Sequence, residues 1–202
     1  MTMTIIDNMN KYELIGELTA EARGTIIDIG ARDRKLKDYL KSDGLEYLSA
    51  DMDPDAGHDI TLNLENRVEC DDGAFDYVVA LDVLEHVDRI HDAFSELIRI
   101  TGKKLFVSLP NMSCLSFRVH YLRHGKLSGK YELTPEPPGD RHRWLTGYDQ
   151  GCTFINSIAQ QAGCNVKQYD ILKGYGRIHK LVSLLPLPQG LKTYTVLFEV
   201  AR

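Results

Sequence analysis

Apolar residues recur along the chain in two alternating rhythms. Short β-rich runs occupy residues 25–29, 47–50, 75–81, 104–109, 166–172 and 193–200. Between them, apolar residues repeat at helical spacing: Leu36, Tyr39 and Leu40; then Ile90, Ala93, Phe94, Leu97 and Ile98; then Phe154, Ile155, Ile158, Ala159 and Ala162. Strand, helix and strand in succession predict parallel strands joined by right-handed crossovers, with helices on both faces of the sheet. The runs 75–81 and 104–109 are almost continuously apolar, as central strands buried on both sides are. Thr101-Gly102 and Gly163 follow two of the helical stretches and read as their stops. Leu14, Ile15, Leu18 and Ala22 share one side of residues 11–23 and predict a helix on the sheet edge, in spite of Gly16.

Two segments break the alternation. Pro110 to Gly147 contains Glu136-Pro137-Pro138-Gly139 and many basic and imidazole groups, and reads as a lid with a helix through residues 115–122. Tyr175 to Gly190 holds Leu181, Leu184, Leu185 and Leu187 and interrupts the last two strands. It is either an apolar tip that meets a lipid-linked acceptor or partner subunit, or a segment folded back over the core. Residues 1–202 make a single domain by length.

Composition narrows the function classes. The 43% hydrophobic and 26% charged fractions are ordinary for a globular protein, and a net charge of -5 argues against nucleic acid as the main partner. Cys70, Cys114, Cys152 and Cys164 are scattered, with no CxxC pair or zinc-like cluster, as expected of reduced thiols in a cytoplasmic protein. No basic-then-apolar leader and no apolar run near the ~20 residues of a membrane span are found. Oligomeric state is not written in the sequence.

Three motifs carry chemistry. Thr25-Ile26-Ile27-Asp28-Ile29-Gly30-Ala31-Arg32-Asp33-Arg34 is a buried strand entering a tight turn and a helix. Its glycine admits a ligand to the backbone, its helix start offers N–H groups, and Asp28 can accept from an ammonium. Ala50-Asp51-Met52-Asp53-Pro54 follows about 20 residues on, the offset at which a strand-end carboxylate meets ribose hydroxyls. Asp51 is the better placed; Asp53 shapes the turn. The third is Phe75-Asp76-Tyr77-Val78-Val79-Ala80-Leu81-Asp82-Val83-Leu84-Glu85-His86-Val87.

Together these runs, with Leu105-Phe106-Val107-Ser108-Leu109-Pro110-Asn111, resemble the class I S-adenosylmethionine-dependent methyltransferase superfamily from about Thr25 onward. The resemblance implies a doubly wound, seven-stranded, mostly parallel α/β sheet whose last strand is antiparallel. It carries a lid insertion after the fifth strand and a second insertion between the last two. It also implies S-adenosylmethionine as cofactor. Asp28, Gly30 and the backbone of Ala31 and Arg32 would face its methionine part, Asp51 and Met52 its ribose and adenine, and Leu81 with Asp82 its sulfonium side. The first motif departs from the family: Arg32 and Arg34 stand where small residues are usual. Arg32 can instead grip the cofactor's carboxylate.

His142, in Gly139-Asp140-Arg141-His142-Arg143-Trp144, is the candidate catalytic base. Arg141 and Arg143 are expected to lower its pKa and hold an anionic acceptor, with Trp144 stacking on a sugar. His120 and His124 are weaker candidates. Asp82, Glu85 and His86 would share one helical face at i, i+3 and i+4, a spacing that could hold a divalent cation. The run reads instead as the acidic start of a helix, so no metal is assigned. The expected function is methyl transfer to an oxygen or nitrogen of a small or carrier-linked molecule, such as a sugar in surface-glycan synthesis. The competing reading is a non-catalytic scaffold with a degenerate cofactor loop. A nicotinamide enzyme is disfavoured because no GxGxxG follows the first strand.

Overall fold

Among the described residues, eight strands build one sheet: β1 (Thr2–Ile6), β2 (Gly24–Ile29), β3 (Leu45–Asp51), β4 (Ile60–Thr61), β5 (Phe75–Leu81), β6 (Thr101–Pro110), β7 (Asn165–Ile171) and β8 (Thr195–Ala201). Their order is β1-β7-β8-β6-β5-β2-β3-β4. Only β8 runs antiparallel, to β6 on one side and β7 on the other. The helices are α1 (Lys11–Leu18), α2 (Ile90–Ile100), α3 (Leu115–His124), α4 (Tyr148–Gln161), α5 (His179–Leu184) and α6 (Gln189–Lys192). This computed structural model describes residues 2–127, 129–131, 135–136, 140–172 and 179–202.

The sheet is covered on both faces, as the apolar runs require. On one side Phe94, Leu97, Ile155 and Ala159 of α2 and α4 pack with Val78, Leu105 and Val107. On the other, Leu14, Ile15 and Leu36 pack with Ile26, Val79 and Phe106. Neighbours such as Val78 and Val79 thus enter opposite cores, because successive strand side chains alternate faces. Burying a side chain such as Phe94 contributes roughly 1.5–3 kcal/mol, so these two cores hold the strands in register.

Four expectations need correction. The sheet has eight strands rather than seven. Neither β1 nor the two-residue β4 was foreseen; β1 has mostly exposed side chains, so no core pattern betrays it, and its backbone pairs with β7 along the sheet edge. Helix α1 packs on a sheet face rather than an edge. A Cβ on Gly16 would lie 2.2 Å from the Tyr39 carbonyl oxygen, so the helix needs glycine to let the next turn approach. Residues around Leu36 form a 3-10 turn (Lys35–Tyr39), not an α-helix. Between β7 and β8, the apolar segment does two things: Val182 is buried beside Cys114, while Leu181 and Leu184 are 64% and 82% exposed. The Pro137–Gly139 part of the lid and Tyr175 lie outside the described residues.

Candidate active site

Among the described residues, those other than glycine with positive φ are Arg32 (46°), Arg34 (55°) and Asp82 (54°). All three follow the C-terminal ends of β2 and β5, the neighbouring strands where the connection order reverses. Open α/β sheets bind ligands in the crevice at that point, and such backbone strain persists only where the surroundings enforce it. Gly30 sits in the same turn at φ 73°, and a Cβ there would lie 2.7 Å from Val83 Cγ2. Gly30→Ala is therefore expected to cost about 1–3 kcal/mol of stability. Urea denaturation measures this; an unchanged midpoint contradicts the tight closure of the two loops.

The Gly30 and Ala31 N–H groups both donate to the Ala50 carbonyl, at 2.8 and 3.1 Å. They tie the turn to β3 instead of standing open to a ligand, as the sequence had suggested. Side chains supply the polar groups. A cavity of about 110 Å³ is lined by Lys11, Asp28, Gly30, Ala31, Arg32, Leu81, Asp82 and Lys130, among others. A neighbouring one of about 400 Å³ adds Asp51, Met52, Leu62, Asn63, His86, Arg141 and Arg143, and shares Gly30, Arg32 and Asp82 with the first. All eight residues expected at the cofactor therefore line this pair of cavities.

Within the smaller cavity, Asp28 is buried and accepts from the Tyr47 hydroxyl at 3.0 Å. Burial pushes its pKa up to about 6, against the pull of that hydroxyl. Asp82 is fixed by a Lys11 ion pair and by the Ser108 hydroxyl, which donates to it at 2.6 Å. Lys11 was not singled out in the sequence, because nothing local ties it to a residue on another strand end.

The two arginines of the first motif do different things. Arg34 donates to the Ser49 hydroxyl at 3.2 Å and to the Gly57 carbonyl, so it braces the loop after β3 outside the cavities. Arg32 reaches across the cavity mouth to Asp140 at 2.7 Å. Lys130 and His86 Nδ1 join the same carboxylate at 2.8 and 3.1 Å.

His142 lies behind this rim. Its ring packs edge-on against His86 with centroids 4.5 Å apart, and its side chain is 9% exposed. Its pKa is pushed down to about 4 by burial first, then by His86 and Lys130, not by Arg141 and Arg143 as expected. Arg143 instead pairs with Asp88, and Trp144 donates its indole N–H to the Val87 carbonyl at 2.8 Å. The Arg143 and Trp144 backbone N–H groups donate to the Glu85 carbonyl, at 2.8 and 3.2 Å. The Glu85 side chain is fully buried, and neither of its oxygens has a hydrogen-bond partner. Burial, then Asp82, drives its pKa well upward. Glu85 matters here for its burial, which one sequence cannot reveal.

The chain belongs to the methyltransferase-domain family, whose model matches residues 7–169. The family model is that of a methyltransferase domain, and solved structures of this fold include S-adenosylmethionine-dependent methyltransferases. A curated relative that it matches is the bifunctional methionine biosynthesis protein MetXA/MetW of Rhodopirellula baltica, 30% identical over 69 residues. That match covers 34% of this chain and only 10% of the relative's length. Among solved structures, a SAM-dependent methyltransferase of Thermotoga maritima superposes with a TM-score of 0.59 at 16% identity, covering 94% of this chain and 87% of that one. The small RNA methyltransferase HEN1 superposes with a TM-score of 0.66 at 14% identity, covering 95% of this chain and 25% of that one. At these identities the likeness is one of fold.

The cavities suit the cofactor chemically. Asp28 offers an acceptor for an ammonium, Lys11 and Arg32 offer cations for a carboxylate, and Asp51 stands at a strand end beside exposed Met52. Among the described residues, no helix is long and apolar enough to cross a membrane.

Proposed function

We propose that this enzyme methylates an oxygen or nitrogen of a small or carrier-linked acceptor that carries an anionic group, such as an acidic or phosphorylated sugar. The observation behind this reading is the larger cavity, whose lining includes His86, Arg141 and Arg143 together with Asp82. Bound S-adenosylmethionine supplies an electrophilic methyl group. The protein's part is to hold an acceptor atom in line with it. In this reading Asp28, Gly30, Ala31 and Arg32 serve the amino-acid end, Asp51 and Met52 the ribose and adenine, and Leu81 with Asp82 the region between. Arg141 is the group that faces an acceptor anion. His142, set back from the cavity, acts on the acceptor through His86, as a positioning residue rather than as a base in contact with it. The scaffold alternative rested on Arg32 and Arg34; Arg34 leaves the cavities free, and Arg32 spans their mouth.

The test is a transfer assay with methyl-labelled cofactor against matched anionic and neutral sugars, with an RNA oligonucleotide included. Label is expected on the anionic sugars. Arg141→Ala is expected to raise KM about 10- to 150-fold, the equivalent of a charge-assisted hydrogen bond of roughly 1.5–3 kcal/mol. Transfer to neutral sugars or RNA alone, or a KM untouched in the variant, overturns the reading.

A further inference from the structure

We propose that Glu85, His86 and His142 bind a divalent transition-metal ion of the zinc class. The Tyr131 hydroxyl donates to the Trp144 carbonyl at 2.8 Å, so its oxygen is left to accept from His142 Nδ1, 2.9 Å away. With its proton on Nδ1, His142 turns a bare lone pair on Nε2 toward Glu85, whose nearer oxygen is 3.8 Å off. His86 repeats the pattern. Its Nδ1 faces two acceptors, the Arg141 carbonyl at 3.0 Å and Asp140 at 3.1 Å, and therefore carries the proton. The His86 Nε2 lone pair meets the Lys130 ammonium at 3.3 Å.

Two imidazole lone pairs and a buried, unpartnered carboxylate thus converge, with ligand atoms within 4.8 Å of one another. A buried carboxylate is costly without a cation or proton to answer it. Zinc bonds of roughly 2.0–2.1 Å at a tetrahedral angle set ligand atoms roughly 3.3 Å apart, so small side-chain movements close the site. Two histidines and a glutamate are a known zinc set with one position left open, and metal-bound histidines characteristically have the other ring nitrogen held as both are here. His86 is also a wall of the larger cavity, which gives the ion an entry path. Asp82, which sequence spacing grouped with Glu85 and His86, is instead taken up by Lys11 and Ser108. His142 takes its place. The proposal does not depend on the acceptor assigned above.

The experiment titrates the chelator-treated protein with Co²⁺ and then Zn²⁺. One equivalent of Co²⁺ is expected to give the intense visible absorption of four-coordinate cobalt, and Zn²⁺ is expected to abolish it. By calorimetry, Zn²⁺ binding should be lost in Glu85→Gln and His142→Ala, weakened about 10- to 100-fold in Tyr131→Phe, and tightened in Lys130→Met, which removes a competing cation. Circular dichroism establishes that each variant folds. For any that does not, nitrogen-15 histidine spectra of the unmutated protein replace it, where Zn²⁺ should shift Nε2 of two histidines. No uptake of either ion, a six-coordinate cobalt spectrum, or equal Zn²⁺ affinity in Glu85→Gln overturns the site and leaves a proton to answer Glu85.

Discussion

Asp28→Asn is expected to stabilise the cofactor-free protein at neutral pH and weaken its grip on the cofactor. The folded-state pKa of Asp28 is raised from 3.8 to about 6. Below pH 4 the carboxyl is protonated in folded and unfolded chains alike, and it costs nothing. Between about pH 4 and 6 the unfolded chain has released the proton while the folded one keeps it, so stability falls as pH rises. Above pH 6 the loss levels off at about 3 kcal/mol, each pH unit of difference being worth about 1.4 kcal/mol. Asparagine keeps an acceptor for the Tyr47 hydroxyl and has no proton to lose. The difference in urea stability between the two proteins should therefore open between pH 4 and 6 and stay open to pH 7.5. Carboxylates of the opposite sense, such as Asp76, held low first by its Lys103 bond, cancel in that difference. Affinity for S-adenosylhomocysteine should fall in the variant by about 10- to 150-fold, the equivalent of one charge-assisted hydrogen bond. A variant less stable than the parent at pH 7 contradicts this account of Asp28.

Asp51→Ala is expected to separate binding from stability in a different way. Asp51 stands at the end of β3 on the wall of the larger cavity, and within the protein its carboxylate accepts from the Asp53 N–H at 3.3 Å. Losing that exposed turn bond costs the fold about 1 kcal/mol or less. Losing an acceptor for the ribose hydroxyls should weaken the cofactor about 10- to 150-fold. Calorimetry and thermal denaturation on one sample measure both. Unchanged affinity with a collapsed melting temperature assigns Asp51 to the fold instead.

Six of the strands were legible because each puts apolar side chains into a core, and central ones such as 75–81 record burial on both faces as a continuous apolar run. Strands β1 and β4 were not: the outward side chains of β1 owe nothing to a core, its backbone bonds leave no trace in residue type, and β4 is only two residues long. The residues that line the paired cavities at the strand ends were legible for a related reason. Turns at strand ends impose local demands, such as the glycine at position 30, and local demands are visible in sequence. The surroundings of the larger cavity are made by residues far apart in the chain: Arg32 meets Asp140 at its mouth, Lys130 meets His86, and behind them His142 faces the buried Glu85. Neighbours in sequence misled there. Arg141 and Arg143 flank His142 in the chain, yet its low pKa comes from burial, His86 and Lys130.

The account stands or falls on the paired cavities at the β2 and β5 ends holding S-adenosylmethionine. The direct measurement is a calorimetric titration of the metal-free protein with S-adenosylhomocysteine and, side by side, with NAD. One equivalent of S-adenosylhomocysteine should bind and, at a hundredfold excess over its dissociation constant, stabilise the fold by about 2.7 kcal/mol, while NAD gives no heat. Saturable NAD binding, with S-adenosylhomocysteine silent at millimolar concentration, would contradict it.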